Sequence, residues 1–244
     1  MKRNSQLITL YGTRNTRELG GYRTDSGLFI KTHALLRSDA LQKLTQEDGA
    51  FLNRYGLRCV IDLRSQDEIN RAPDKLEVLG DFIQYKHVDL QKPVQKKRYA
   101  EAFPPSLWEL YCWMLDDCQA EFRTIFETIL HFPEDCVLFH CTGGKDRTGM
   151  VAMLLLKLAG VEDKTIVEDY ALTEALMKDL FVLQTRDLES RGLTVPQYIM
   201  QSPPENMRKA LNHLSLQYGT AEEYLVQIGL NESDIPLLKN KMLK

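Results

Sequence analysis

The chain has 244 residues, of which 43% are hydrophobic, 27% charged and 9% aromatic, and its net charge is −3. That is the balance of an ordinary soluble globular protein, long enough to bury roughly 70% of its unfolded surface without staples. It argues against a dedicated nucleic-acid binder, and the five cysteines fall in no disulfide spacing, so free thiols in a reducing compartment are expected.

Met1 to Leu10 contains Lys2 and Arg3 but no sustained apolar run, which makes a poor signal peptide. The longest apolar stretch, Met150 to Leu156, is too short to span a bilayer and is cut by Lys157. A cytoplasmic protein with no integral membrane segment is expected, export without a signal peptide being the alternative. Residues 7–40 read as short strands broken by turns at Gly20-Gly21 and Thr24-Asp25-Ser26-Gly27, ahead of Leu28-Phe29-Ile30. Thr45 reads as an N-cap, with Asp48 three residues on and Gly56 as the helix stop.

Cys59-Val60-Ile61-Asp62-Leu63, Phe82 to Val88 and Cys136-Val137-Leu138-Phe139-His140 read as three strands, the first as a buried parallel one and the third as the most continuous. Between the second and third lies a helical stretch at about 106–132, with Leu107, Leu110, Tyr111, Met114 and Leu115 on one face. After Gly149 helices are expected at 148–159, 163–177, about 205–218, 220–228 and 233–243. Residues 178–204 are left as a lid or a connection. The alternation implies an α/β fold with a mainly parallel central sheet flanked by helices and a helical C-terminal half. With no Gly/Ser-rich linker, residues 1–244 are expected to form a single domain.

The informative segment is His140-Cys141-Thr142-Gly143-Gly144-Lys145-Asp146-Arg147-Thr148-Gly149. It reads as strand, glycine turn and helix, with the helix beginning near Arg147. Ligands in open parallel sheets sit at the carboxyl ends of strands, and a tight turn into a helix N-terminus converges N–H groups on an anion. Gly143 and Gly144 let the backbone turn tightly there. At the mouth of such a cradle the helix dipole and nearby cations favour the thiolate of Cys141, the nucleophilic form. Arg147, six positions on, can return across the loop and bind two phosphoryl oxygens with its planar fork. Six positions after Cys59, Cys112, Cys118 and Cys136 stand Ser65, Cys118, Thr124 and Thr142, so only Cys141 has this arginine.

The loop has the Cys-x₅-Arg-Ser/Thr signature of the cysteine-dependent tyrosine and dual-specificity phosphatases. Its Gly-Lys-Asp-Arg-Thr-Gly form resembles a bacterial branch with activity on phosphotyrosine and, in some members, phosphoserine/threonine and phosphoinositides. Asn15 to Tyr22, Leu36 to Leu41, Ile61 to Ser65 and Val167-Glu168-Asp169-Tyr170 are similar to that branch's other motifs, in the same order. The match covers most of residues 11–175.

The resemblance implies a protein tyrosine phosphatase-like fold and a phosphocysteine mechanism with no metal or other cofactor. Cys141 would attack phosphorus. Arg147 and the loop from Thr142 to Thr148 would hold the oxygens, and the Thr148 hydroxyl would stabilise the leaving thiolate. Lys145 would add charge at the rim, suiting a phosphoinositide. For the general acid the order is Asp146, then Asp62, then Asp89, because an Asp inside the loop holds that role in the branch resembled. The expected partner is a phosphorylated protein or a phosphoinositide. The alternatives are a primarily phosphoinositide phosphatase and a non-catalytic phosphate-binding module.

Plainer readings stand beside these. A nucleotide-binding loop needs Ser or Thr after the lysine and an earlier glycine, where Asp146 and Phe139 stand instead. His140, Cys136, Cys141 and His131 lack zinc-site spacing. His140 reads as a donor fixing the loop or as packing, and Asp62 as a strand-end turn cap. Arg17 and Arg37 read as ties for loops. Lys92, Lys96, Lys97 and Arg98 read as a solvated run, and Trp108, Tyr111 and Trp113 as core.

Overall fold

The computed structural model describes residues 6–99 and 103–244, so Lys2 and Arg3 of the signal-peptide reading lie outside the described residues. In chain order the elements are β1 (Arg17–Glu18), β2 (Leu35–Ser38), α1 (Gln46–Tyr55), β3 (Leu57–Asp62), α2 (Gln66–Arg71) and β4 (Gln84–His87). There follow α3 (Lys92–Arg98), α4 (Leu107–Asp117), α5 (Gln119–Leu130), β5 (Cys136–His140), α6 (Asp146–Leu158) and α7 (Asp163–Ser190). The chain closes with α8 (Pro204–Tyr218), α9 (Ala221–Gln227) and α10 (Asp234–Met242), and short 3₁₀ turns lie at Leu76–Leu79 and Gln197–Met200.

The five strands form one sheet in the order β1-β2-β5-β3-β4, parallel throughout except where β1 meets β2. Strand β5 is central and wholly buried, as a continuous apolar run requires. Its alternation divides the core. Val137 and Phe139 join Leu35, Cys59 and Ile61 beneath the later helices, while Cys136 and Leu138 join Leu36 and Val60 beneath α1. The registers pair Ser38 and Asp62 with His140, so β2, β3 and β5 all end on one row. Every loop leaving those strands therefore opens on the same edge of the sheet.

The capping box of Thr45 with Asp48 and the left-handed Gly56 (φ 96°) bound α1 as expected. The stretch at 106–132 is two helices meeting at Cys118. Asp116 and Asp117 oppose the helix dipole at the end of α4, which explains the break. Strand β4 lies on the sheet edge and is mostly exposed, which is why its pattern is weakly apolar. Leu28-Phe29-Ile30 makes only isolated bridges, Phe29 to Arg23 and Ile30 to Leu243.

The largest departure is at 178–204. No glycine or proline occurs between Val161 and Gly192, so α7 runs on to Ser190. It stops at Gly192 (φ 80°), where Leu193 N–H donates back to the Leu188 carbonyl at 3.2 Å. The first half of this segment is thus helix, and the remainder is pinned rather than open. Ser202 N–H donates to Glu174 at 2.6 Å and the Tyr198 hydroxyl donates to the Pro104 carbonyl at 2.5 Å. Among the described residues no helix is long and apolar enough to cross a membrane.

Candidate active site

The loop between β5 and α6 leaves the carboxyl edge of the sheet at Cys141. Gly144 needs its lack of a side chain twice over: its φ is +64°, and a Cβ there would lie 2.5 Å from the Ser38 carbonyl oxygen. Gly143 has no positive φ, and a Cβ would only press on Phe181 at 3.3 Å. The turn therefore rests on the second glycine. Among the described residues, no protein group accepts from the amide N–H groups of Gly143 through Arg147. They are the free donors of a helix N-terminus, available to an anion.

The cradle is held from behind. Asn15 Nδ2 donates to the carbonyls of Gly143 and Gly144 at 3.0 and 3.1 Å, and Arg37 Nη2 donates to Gly144 at 2.8 Å. Arg37 and Arg17 are both buried against Asp169, with Arg17 Nε 2.8 Å from Oδ1 and Arg37 paired to Oδ2. The two arginines tie down loops, as the sequence suggests. Burial would raise the Asp169 carboxyl, but the two guanidiniums bring it down to about 2. Replacing Asp169 by Asn should leave two buried cations short of their partner and cost about 3–5 kcal/mol in urea denaturation. Because the folded-state value is depressed, this stabilisation is complete above the unfolded carboxylate range near about 4 and is lost as pH falls toward the folded value. The gap between wild type and Asp169→Asn should therefore close across that window; equal stability at neutral pH would contradict the assignment.

Cys141 is 2% exposed at the floor of a cleft of about 700 Å³. Further along the same loop the Thr148 hydroxyl is buried and, among the described residues, has no hydrogen-bond partner. Arg147 lies flat against Glu68, with Nη1 to Oε2 at 2.5 Å and Nη2 to Oε1 at 2.8 Å. Nη1 also reaches the Leu63 carbonyl at 3.5 Å. This leaves Nε–H and one Nη2–H, the side-on edge of the guanidinium, for two oxygens of a ligand. Burial opposes the charge on each partner, but the pairing wins: Glu68 is held well below the usual carboxylate range and Arg147 above its ordinary value. Thr142 Oγ1 also donates to Glu68.

Sequence reasoning missed Glu68. Its only signal is local, the Ser65-x-x-Glu68 capping box that starts α2, in which Ser65 N–H donates to Glu68 Oε2 at 2.8 Å. Nothing in that spacing says the same carboxylate grips an arginine 79 positions away.

Three sequence expectations need correction. Lys145 is not a rim charge; its ammonium is buried, donating to the carbonyls of Ile199 and of Gln201, the latter at 2.9 Å. The ammonium also sits 5.5 Å over the Phe181 ring. Asp62 does not reach the cleft, being held by Arg64 Nη2 at 2.7 Å and by the Tyr85 hydroxyl at 2.9 Å. Asp89 caps α3, accepting from the backbone N–H groups of Gln91 and Lys92 at 3.1 and 3.0 Å. Of the three candidate acids only Asp146 lines the cleft, and its Oδ1 accepts from the Tyr111 hydroxyl at 2.5 Å.

His140 is fully buried with Nε2 3.1 Å from Asp74, and that carboxylate raises its basicity against the cost of burial. Asp62, Asp74 and His140 are close enough to suggest a cation site. Arg64 already occupies it, 2.7 Å from Asp62 and 2.8 Å from Asp74, so the set is a closed ion cluster. On α3, Lys97 and Arg98 pair with Asp117 on the outer surface.

The second half of α7 and the turn after it, including Phe181, Leu188 and Ile199, line the cleft, as do Tyr99, Phe103 and Leu110. Much of residues 178–204 therefore borders the cleft. Besides Glu68, Lys145, Asp146 and Arg147, the charged residues lining the cleft are Lys43, Arg71 and Arg191 and, against them, Asp39, Asp67 and Asp187.

A sequence model described as "Tyrosine phosphatase family" matches residues 8–244 of this chain. A protein of Nostoc commune described as "Tyrosine-protein phosphatase" is 34% identical over 226 residues, spanning 87% of this chain and 75% of the other. Among solved structures, P. aeruginosa TpbA aligns at 14% identity with a TM-score of 0.42, over 83% of this chain and 91% of that one. A variant of the same protein described as a complex with pTyr aligns at 13% identity with a TM-score of 0.45, over 95% and 100% of the two chains.

Proposed function

This chain belongs to the tyrosine phosphatase family, and on that premise we propose that it hydrolyses phosphotyrosine through a phosphocysteine intermediate. The observation that carries the proposal is the conjunction of Cys141 at the floor of the cleft with the free N–H groups of the loop and the open edge of Arg147. Cys141 Sγ attacks phosphorus in line with the leaving oxygen. Charge developing on the three remaining oxygens meets the loop N–H groups and Arg147, donors already fixed by Asn15, Arg37 and Glu68. Asp146 protonates the leaving oxygen, then takes a proton from the water that breaks the S–P bond. The Thr148 hydroxyl stabilises the thiolate released in that second step.

An aromatic leaving group suits the cleft. Phe181 lies beside the loop at Gly143, and Leu110 and Tyr99 line the same cleft, so a phenyl ring would be packed rather than solvated. A second reading, activity on phosphoserine/threonine or phosphoinositides, draws on Lys43, Arg71 and Arg191 at the cleft rather than on Lys145, and is opposed by Asp39, Asp67 and Asp187 in the same lining. The presence of both Cys141 and Arg147 favours an enzyme over a binding module. One apolar core running from the sheet into α8, α9 and α10 supports a single phosphatase domain, and five free thiols support a reducing compartment such as the cytoplasm.

The assignment of the acid is tested by leaving-group dependence. A phenolate with a low pKa departs unaided, whereas an alkoxide needs a proton. Asp146→Asn should slow an alkyl phosphate by about 100-fold or more and an aryl phosphate with a good leaving group by less than about 10-fold. Equal losses on both substrates would move the acid elsewhere.

A further inference from the structure

We infer that Tyr111 is the residue that positions the general acid, through the bond from its hydroxyl to Asp146 Oδ1, with the Tyr170 hydroxyl fixed behind it. This rests on the reading of Asp146 as the acid, and goes beyond it. Tyr111 falls on the apolar face of α4 and reads in sequence as core; its ring is indeed buried, but its hydroxyl is not spent on packing. It lies 2.5 Å from Asp146 Oδ1 and 2.8 Å from the Tyr170 hydroxyl. The two rings meet edge to face at 5.8 Å, so both hydroxyls are held without freedom to rotate away. Burial, and next the Asp146 charge, push the Tyr111 phenol well above its ordinary value, so it stays a donor.

A phenol has one proton. Given to Oδ1, it makes that oxygen an acceptor only, and the acidic proton of Asp146 must then sit on Oδ2. In the first step the S–P bond forms as the P–O bond breaks, and the leaving oxygen takes the Oδ2 proton. The carboxylate so formed is stabilised by the Tyr111 bond, which strengthens as the charge appears. In the second step water attacks phosphorus, its proton returns to Oδ2, and Cys141 leaves as thiolate. Tyr111 gives up no proton in either step; it selects which oxygen carries the mobile one.

The other groups facing Asp146 are known. Lys145 Nζ is 3.5 Å from Oδ1, Arg147 and Cys141 belong to the same loop, and Tyr99 and Tyr170 also lie within electrostatic reach. Glu68 is neutralised by Arg147. None of them except Tyr111 and Lys145 lies within 3.5 Å of Asp146 Oδ1.

The test compares Tyr111→Phe, Asp146→Asn and the double variant on an alkyl and an aryl phosphate. Tyr111→Phe removes one oxygen and keeps the ring. It should lower kcat on the alkyl phosphate about 10-fold or more, and on the aryl phosphate less than about 3-fold. The double variant should be no slower on the alkyl phosphate than Asp146→Asn alone, because Tyr111 acts only through Asp146. A defect in folding would instead add to the single loss and strike both substrates alike, and that result would overturn the inference. A leaving-group-selective Asp146→Asn beside an indifferent Tyr111→Phe would overturn it alone. An unselective Asp146→Asn would remove the assigned acid and the inference with it.

Discussion

Cys141→Ser is expected to reduce hydrolysis of an aryl phosphate by on the order of 10⁴-fold or more while phosphate binding survives. Serine keeps the shape of the side chain and leaves in place the contacts of the loop carbonyls with Asn15, Arg37 and the Ala40 N–H. What the proposed mechanism loses is its sulfur nucleophile, for which an alcohol is a far weaker substitute. About 10⁴-fold corresponds to about 5.5 kcal/mol of barrier. The measurement is turnover beside binding of inorganic phosphate by calorimetry, with acid quench of the wild type to trap a phosphoenzyme. Persistent turnover in Cys141→Ser would mean that another group attacks phosphorus.

Arg147→Lys is expected to lower kcat by about 10³-fold, a larger effect than the conserved charge would suggest. A lysine offers a point charge. It cannot meet both Glu68 oxygens and still present a flat edge to two phosphoryl oxygens, as the guanidinium does here. The loss should fall mainly on kcat, with KM changing far less, because the fork matters most when charge spreads over the equatorial oxygens. A variant whose KM rises while kcat holds would show that Arg147 binds the ground state only.

Much of the fold was legible because it is local. Thr45, Asp48 and Gly56 bound α1 through backbone chemistry that operates within a few residues. Strand β5 and helix α6 announce themselves as apolar runs because both are buried on every side. The two misread stretches have physical causes that are also local but weak: paired aspartates that end α4, and the absence of any breaker before Gly192 that lets α7 continue.

The chemistry divides in the same way. Cys141, Asp146, Arg147 and Thr148 lie in one contiguous loop, so residue type and spacing alone bring them together, and the sheet row formed by Ser38, Asp62 and His140 only decides where that loop opens. Their partners are another matter. Glu68 on Arg147, Tyr111 on Asp146, Asp169 on Arg37 and the Ile199 and Gln201 carbonyls on Lys145 are separated from them by 35 to 132 positions. Periodicity marks the face a helix buries, because burial follows the apolar area of whole turns. It does not say which polar atom that face will meet, since a hydrogen bond depends on a few tenths of an ångström set by the packing of several elements at once. Lys145 and Tyr111 exchanged their expected roles for that reason: the charge is tied to carbonyls, and the core tyrosine reaches the acid.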